Sequence, residues 1–259
     1  MHLIRILITH LVNYDRWFYP GIISLKIRYS RTTLGPLWET IAISIFIGFA
    51  GFLWSKIFKI DIQNFIPHLF CGMVIWKFYA TVIGSSSLTY IENAALIKSI
   101  KHEYITHNLK CVFRDFLIFL HNLPICLLVV FYFNGFNLNI LYLFLVFPIV
   151  IISAFFISYI LSLVCLRYRD LHYLIQSLMQ LIFFFTPIMW KPDQVESKVT
   201  LFIIKPNIIY HYVEIIRAPI LGSPPPLLSL GATIIFMFFL LFFVNFLYKK
   251  YNNRIPYWL

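Results

Sequence analysis

The chain has 259 residues, of which 61% are hydrophobic and only 12% charged, with a formal net charge of +11. A mean hydropathy of +0.83 leaves too little polar surface to cover a water-soluble core of this size, so lipid must act as solvent for much of the chain. The basic residues are not gathered on one soluble unit, so the charge points to membrane topology and anionic lipid rather than to nucleic acid.

In chain order, the first predicted element is an amphipathic leader. Leu3, Ile4, Leu7, Ile8, Leu11 and Val12 recur at helical spacing, with His2, Arg5, Thr9, His10, Asn13 and Arg16 on the other face. Such a helix lies in the membrane interface. Pro20 and Gly21 are expected to break it, and residues 24–31 then carry Lys26, Arg28 and Arg31 at the level of lipid headgroups. Thr33, Leu34, Gly35 and Pro36 turn the chain into the membrane, with Pro36 in the opening turn of a helix.

Six apolar stretches follow, at residues 37–58, 65–85, 112–133, 138–166, 174–190 and 227–248. About 20 apolar residues at about 1.5 Å rise span a hydrocarbon core. Between them, Lys and Arg fall on alternate sides as 14 against 6, with Lys77 left inside the second stretch. The positive-inside rule then places both termini in the cytoplasm. The expectation is an all-α integral membrane protein of a single domain. Residues 1–36 form a cytoplasmic interface segment, 37–190 spans one to five, 191–226 an outer re-entrant loop, and 227–259 the last span and cytoplasmic tail.

The outer loop has its own pattern. Asn207, Tyr210, His211, Glu214 and Arg217 share one helical face and Ile208, Ile209, Tyr212, Val213, Ile215 and Ile216 the other, with Pro219 as the expected stop. Preceded by the apolar residues 199–204 and by Pro206, it reads as a re-entrant hairpin. Small residues at close spacing, Ser44, Gly48, Gly51 and Ser55 in the first span and Ala154, Ser158 and Ser162 in the fourth, are expected to let helices approach closely.

Catalytic signatures are missing. None of the nine glycines precedes a Lys, so there is no Walker A loop, and no Gly-x-Ser-x-Gly or His-Glu-x-x-His occurs. Cys71, Cys111, Cys126 and Cys165 form no Cys-x-x-Cys pair and read as small core residues. Glu39 and Asp115 are expected near cytoplasmic span ends, where water reaches them. Lys77 needs polar company inside the membrane, as a substrate-facing cation or as a partner within the bundle. Among 28 Phe, 16 Tyr and 6 Trp, most must face lipid. Trp38, Trp76, Phe78 and Tyr79 are the candidates for stacking on a sugar polymer, since aromatic faces hold a chain while letting it slide.

Three segments carry a family resemblance. Lys26-Ile27-Arg28-Tyr29 with Leu34-Gly35-Pro36-Leu37-Trp38, Arg167-Tyr168-Arg169-Asp170 with Gln176 and Thr186-Pro187-Ile188-Met189-Trp190, and Tyr210-His211 with Glu214 to Gly222 stand in the family's order. The chain resembles the membrane (permease) subunit of bacterial ATP-binding cassette exporters for surface polysaccharides such as O-antigen, capsule and teichoic acid. The resemblance implies a homodimer in the inner membrane, with the channel on its twofold axis and two soluble ATPase copies docked below. ATP and Mg would sit on that partner, with no cofactor on this chain, and the cargo would be a lipid-linked polysaccharide.

The resemblance also implies residue roles. Arg28, Arg31, Leu34 and Gly35 would form the substrate entrance, with the arginines on a lipid pyrophosphate. Trp38, Trp76, Lys77, Phe78 and Tyr79 are channel-wall candidates. Glu92, Asn93, Leu96, Ile97, Lys98 and Lys101 would receive the ATPase, although the family's aromatic-Pro pair is replaced near Lys101 and His102, and Lys205 stands where an Asn usually precedes the outer-loop Pro. Tyr210, Glu214, Arg217 and Pro219 mark the outer re-entrant segment, and Arg167, Arg169 and Asp170 would fasten the short inner loop to the bundle or the ATPase. The rival readings are a membrane transferase on a lipid-linked glycan, which needs a convergent acidic or His site, and an ion-coupled flippase.

Overall fold

The computed structural model describes residues 9–35, 37–59, 61–99, 103–192, 198 and 200–259. Leader residues 1–8, Pro36, Lys101 and His102 therefore lie outside the described residues, as does Val199 at the start of the outer apolar run. Ten helices are described: α1 (Phe18–Tyr29), α2 (Leu37–Phe58), α3 (Ile62–Glu92), α4 (Ala94–Ser99), α5 (Ile105–Asn134), α6 (Leu143–Arg167), α7 (Leu171–Phe185), α8 (Ile208–Leu221), α9 (Leu227–Tyr251) and α10 (Ile255–Trp258). No strand occurs among the described residues.

Among the described residues, five helices are long and apolar enough to cross a membrane, namely α2, α3, α5, the α6 segment and the α9 segment. The apolar stretch at 174–190 behaves differently. Its helix α7 has 15 residues, about 22 Å at 1.5 Å per residue, and stops where Thr186 turns extended ahead of Pro187. Residues 186–191 are not helical, yet Ile188 is fully buried and packs on Gly72, where a Cβ would lie 3.1 Å from the Ile188 side chain. Irregular backbone at membrane depth is tolerated where protein, not lipid, surrounds it.

The long helices overrun the apolar stretches because their polar ends find partners. Helix α3 runs for 31 residues and starts at Asp61, whose side chain accepts from the Gln63 amide. It is the hub, packing against α2, α5, α6, α7 and α8. Toward its C-terminal half, Tyr90 donates to Asn108 Oδ1 at 2.6 Å, and the Asn108 amide donates to Ser158 at 3.1 Å and Ser162 at 2.7 Å. Ser162 donates in turn to the Ser86 carbonyl at 2.8 Å. The small residues of α6 therefore serve both close approach and interhelical hydrogen bonding. In α2, Gly51 and Ser55 are buried, Gly51 against Ile66, whereas Gly48 meets nothing within 4 Å.

The leader is corrected in one respect. Pro20 and Gly21 do not break a helix but lie in the first turn of α1; the interruption falls upstream, at the 3-10 turn Tyr14–Arg16. A first-turn proline gives up only an N–H that has no intrahelical acceptor. Gly21 is where α1 meets α5: Trp17 and Phe18 set their rings 5.2 and 5.0 Å from Phe113, and a Cβ on Gly21 would fall 2.7 Å from Phe113. Gly21→Ala should therefore lift α1 and cost about 1–3 kcal/mol of docking. Faster protease cleavage between α1 and α2 in the solubilised protein would report it; an unchanged rate would mean Phe113 simply rotates away.

Candidate functional site

Glu39 sits in the first turn of α2, where the helix N-terminus favours a negative charge. The last turn of α1 brings two donors to it: Arg28 Nη2 at 3.0 Å and the Tyr29 hydroxyl at 2.8 Å, both on Oε1. From α3, Lys77 Nζ reaches to 3.7 Å of Oε2. Three helices thus meet on one carboxylate whose side chain is 17% exposed, against 40% for Arg28 and 37% for Lys77. Burial, then the hydrogen bond to Glu39, pushes the Tyr29 phenol up to about 12, so it remains a neutral donor at physiological pH. Lys77 thus has a partner within the bundle, while more than a third of its side chain stays exposed.

Around this node the surface is open. Leu34 and Trp38 are exposed and Gly35 takes a left-handed φ of +57° with nothing within 4 Å of a would-be Cβ. Arg31 is exposed as well. The entrance residues and Trp38 thus share one end of the molecule with the Glu39 node.

On α3, Met73, Trp76 and Ala80 follow helical spacing along one face. With Phe46 of α2 and Gln176, Gln180 and Phe183 of α7 they line a groove of about 550 Å³. Trp76 stands 5.3 Å from Phe183, and Gln176 presses so close to α3 that a Cβ on Gly84 would fall 2.9 Å from its amide nitrogen. Phe78 and Tyr79 turn the other way: Phe78 packs on Phe119 at 5.1 Å and Tyr79 on Tyr212 at 5.2 Å, both inside the protomer. The four aromatics named from the sequence therefore divide: Trp38 is exposed and Trp76, though largely buried, lines the groove, while Phe78 and Tyr79 pack in the core.

Helix α4 projects beyond the end of α3. Glu92, Leu96 and Lys98 are exposed there, while Ile97 is buried. Asn93 is held from two sides: its amide donates to the Thr89 carbonyl at 2.7 Å and its oxygen accepts from Lys110 Nζ at 2.8 Å.

At the opposite end, α8 departs from its expected amphipathic form. Arg217 is 2% exposed and His211 3%, so the polar face points into protein. Arg217 pairs with Glu214, donates to the Pro187 carbonyl at 2.8 Å and lies 3.1 Å from His68 Nε2. His211 lies 3.0 Å from Ser229 and 2.7 Å from the Lys205 carbonyl. Pro219 is buried within the last turn of the helix, and the stop is Gly222 at φ +103°. Tyr210 is only partly buried.

Sequence reasoning named Glu39 as a span-end carboxylate without pairing it to Lys77, and it missed Gln180. The signal for the Glu39 pairing was available, because a Lys inside a span demands a carboxylate and few were on offer. Asp115 is corrected too: it is 1% exposed, paired with Arg114 at 2.8 Å and bonded by Ser85, and water does not reach it. No group of three metal-ligating side chains occurs among the described residues.

The family described as ABC-2 type transporter matches residues 23–221. The chain is also similar to two Klebsiella pneumoniae proteins named O-antigen export system permease protein RfbA, 26% and 28% identical over 178 residues, 67% of this chain and 68% of theirs. A Myxococcus xanthus protein of the same name is 23% identical over 177 residues, covering 67% of each chain.

Proposed function

The chain belongs to the ABC-2 type transporter family, and from that premise we propose that it is the channel-forming subunit of an ATP-driven exporter of a lipid-linked surface polysaccharide of the O-antigen class. It is a multi-pass inner-membrane transporter subunit and not itself a catalyst. The similarity to O-antigen export permeases over two thirds of both chains carries the substrate class. In this reading the whole chain is one permease domain with six crossings, α7 and the buried segment after it making the fifth. Both termini face the cytoplasm and α8 belongs to an outer re-entrant segment.

Two copies enclose the channel, and two soluble ATPases bind ATP and Mg below it. Glu92, Asn93, Leu96, Ile97, Lys98 and Lys101 take the ATPase stroke. Arg28, Arg31, Leu34 and Gly35 admit the lipid-linked end of the polymer. Trp38, Trp76 and Lys77 form the wall, with Phe78 and Tyr79 as its packing support. Arg28 is already hydrogen-bonded to Glu39, so a pyrophosphate arriving there would compete with that carboxylate. The entrance and the contact of α1 with α2 through Glu39 are thereby linked.

Deleting the chain in its native host tests the proposal. Staining lipid-linked polysaccharide in cytoplasmic and surface fractions should show full-length polymer accumulating inside and none outside. Shortened or missing polymer in both fractions would mean that synthesis, not export, had been lost.

A further inference from the structure

At the C-terminal ends of α6 and α9 the short helix α10 folds back beside them and closes a second cavity, of about 300 Å³, remote in sequence from the Glu39 node. Arg167, Tyr168, Leu247, Tyr251, Arg254 and Trp258 line it. Arg167 lies over the Trp258 ring at 5.7 Å and over Tyr168 at 5.8 Å, and Arg254 over Tyr251 at 5.8 Å. The Tyr251 and Trp258 rings are themselves 5.7 Å apart.

Two guanidinium groups on one small cavity give it a positive potential. The ion pairs among the described residues use Glu39, Asp115 and Glu214 as acids, and neither Arg167 nor Arg254 takes part in any of them. Lys250 adds further positive charge from the last turn of α9, its Nζ 5.2 Å from the Tyr251 ring. The aromatic walls hold the guanidinium planes by cation–π contact and leave their N–H edges to a ligand. Leu163 and Leu247 supply an apolar side continuous with the faces of the two spans.

We propose that this cavity is a binding site for the phosphodiester headgroup of an anionic phospholipid. The fit is chemical: a guanidinium edge matches a phosphate bidentately, and a basic pocket between spans at the membrane surface is where such a headgroup sits. The cavity has room for a headgroup, while acyl chains stay in the bilayer along α6 and α9. A lipid held there would fix α10 against α6, with which it already packs. The site depends on this end of α6 and α9 lying at the membrane surface, and not on what the protein exports.

Native mass spectrometry of the full chain with equimolar phosphatidylglycerol and phosphatidylcholine tests it without any transport. One phosphatidylglycerol per protomer should be retained in preference to phosphatidylcholine. Each arginine near an anionic surface contributes about fivefold, so Arg167→Gln with Arg254→Gln should lower that preference about 25-fold. Arg254→Gln alone, which leaves the Arg167–Trp258 contact in place, should lower it about fivefold and serves if the double variant misfolds. Equal retention of the two lipids, or an unaltered preference in the single variant, would overturn the proposal. So would loss of the bound lipid to millimolar inorganic pyrophosphate, which would assign the cavity to a soluble anion.

Discussion

Arg217→Met is expected to lower the apparent unfolding midpoint of the detergent-solubilised protein by about 10 °C. The side chain is 2% exposed, and its guanidinium answers Glu214, the Pro187 carbonyl and His68 together. Removing it leaves a carboxylate that is only 20% exposed without its cation and a carbonyl on non-helical backbone without its donor. Breaking a buried pair from one side costs about 3–5 kcal/mol, and about 1 kcal/mol shifts the midpoint of a chain of this size by about 2–4 °C. Arg217→Lys should recover little, because one ammonium cannot serve partners spread around a planar fork. Adding Glu214→Leu to Arg217→Met should restore part of the loss, since the orphaned charge goes as well. An unchanged midpoint for Arg217→Met would show that α8 is held by its apolar face alone, through Tyr212, Val213, Ile215 and Ile216.

That residue also marks the limit of what a linear pattern conveys. The spacing of residues 207–217 correctly predicts a helix with two faces, and hydropathy alone would send the polar face to water. Hydropathy scores Arg217 and His211 singly. It has no record of the hydrogen-bond partners that Pro187, Lys205 and Ser229 bring from other segments, and those partners offset the cost of burial. Asp115 was misplaced for the same reason, with Arg114 and Ser85 hidden by the fold. Five of the six apolar stretches become long helices because composition decides that outcome in lipid. The stretch at 174–190 does not, because Thr186 and Pro187 interrupt it and Gly72 offers a buried seat for Ile188. At the site, the pattern named Arg28, Lys77 and Glu39 separately but not the convergence of the first two on the third. Phe78 and Tyr79 are as aromatic as Trp76, and only the rotation of α3 against α5 and α8 separates core from groove.

Glu39→Gln is expected to leave the fold nearly intact and to reduce surface polysaccharide about tenfold. The stability effect is small because Arg28 and Lys77 are about two-fifths exposed, and ion pairs of that exposure are worth about 0–1 kcal/mol. The transport effect is larger because coupling between sites runs to about 1–3 kcal/mol, or about 5- to 150-fold. Glu39 is where α1, α2 and α3 share one contact, so losing its charge frees the interface helix from the helix that carries Lys77 and continues to α4. The distances rank the partners. Arg28 and Tyr29 hydrogen-bond to Glu39 at 3.0 and 2.8 Å, while Lys77 stands at 3.7 Å, so Arg28→Gln should impair export more than Lys77→Met. The cycle of Glu39→Gln with Arg28→Gln should be strongly non-additive, the double variant no worse than Glu39→Gln alone. Quantitative surface staining normalised to membrane-inserted protein reads each variant. Additive losses would mean that Arg28 works on the substrate independently of Glu39, and wild-type export by Glu39→Gln would remove the node from the mechanism.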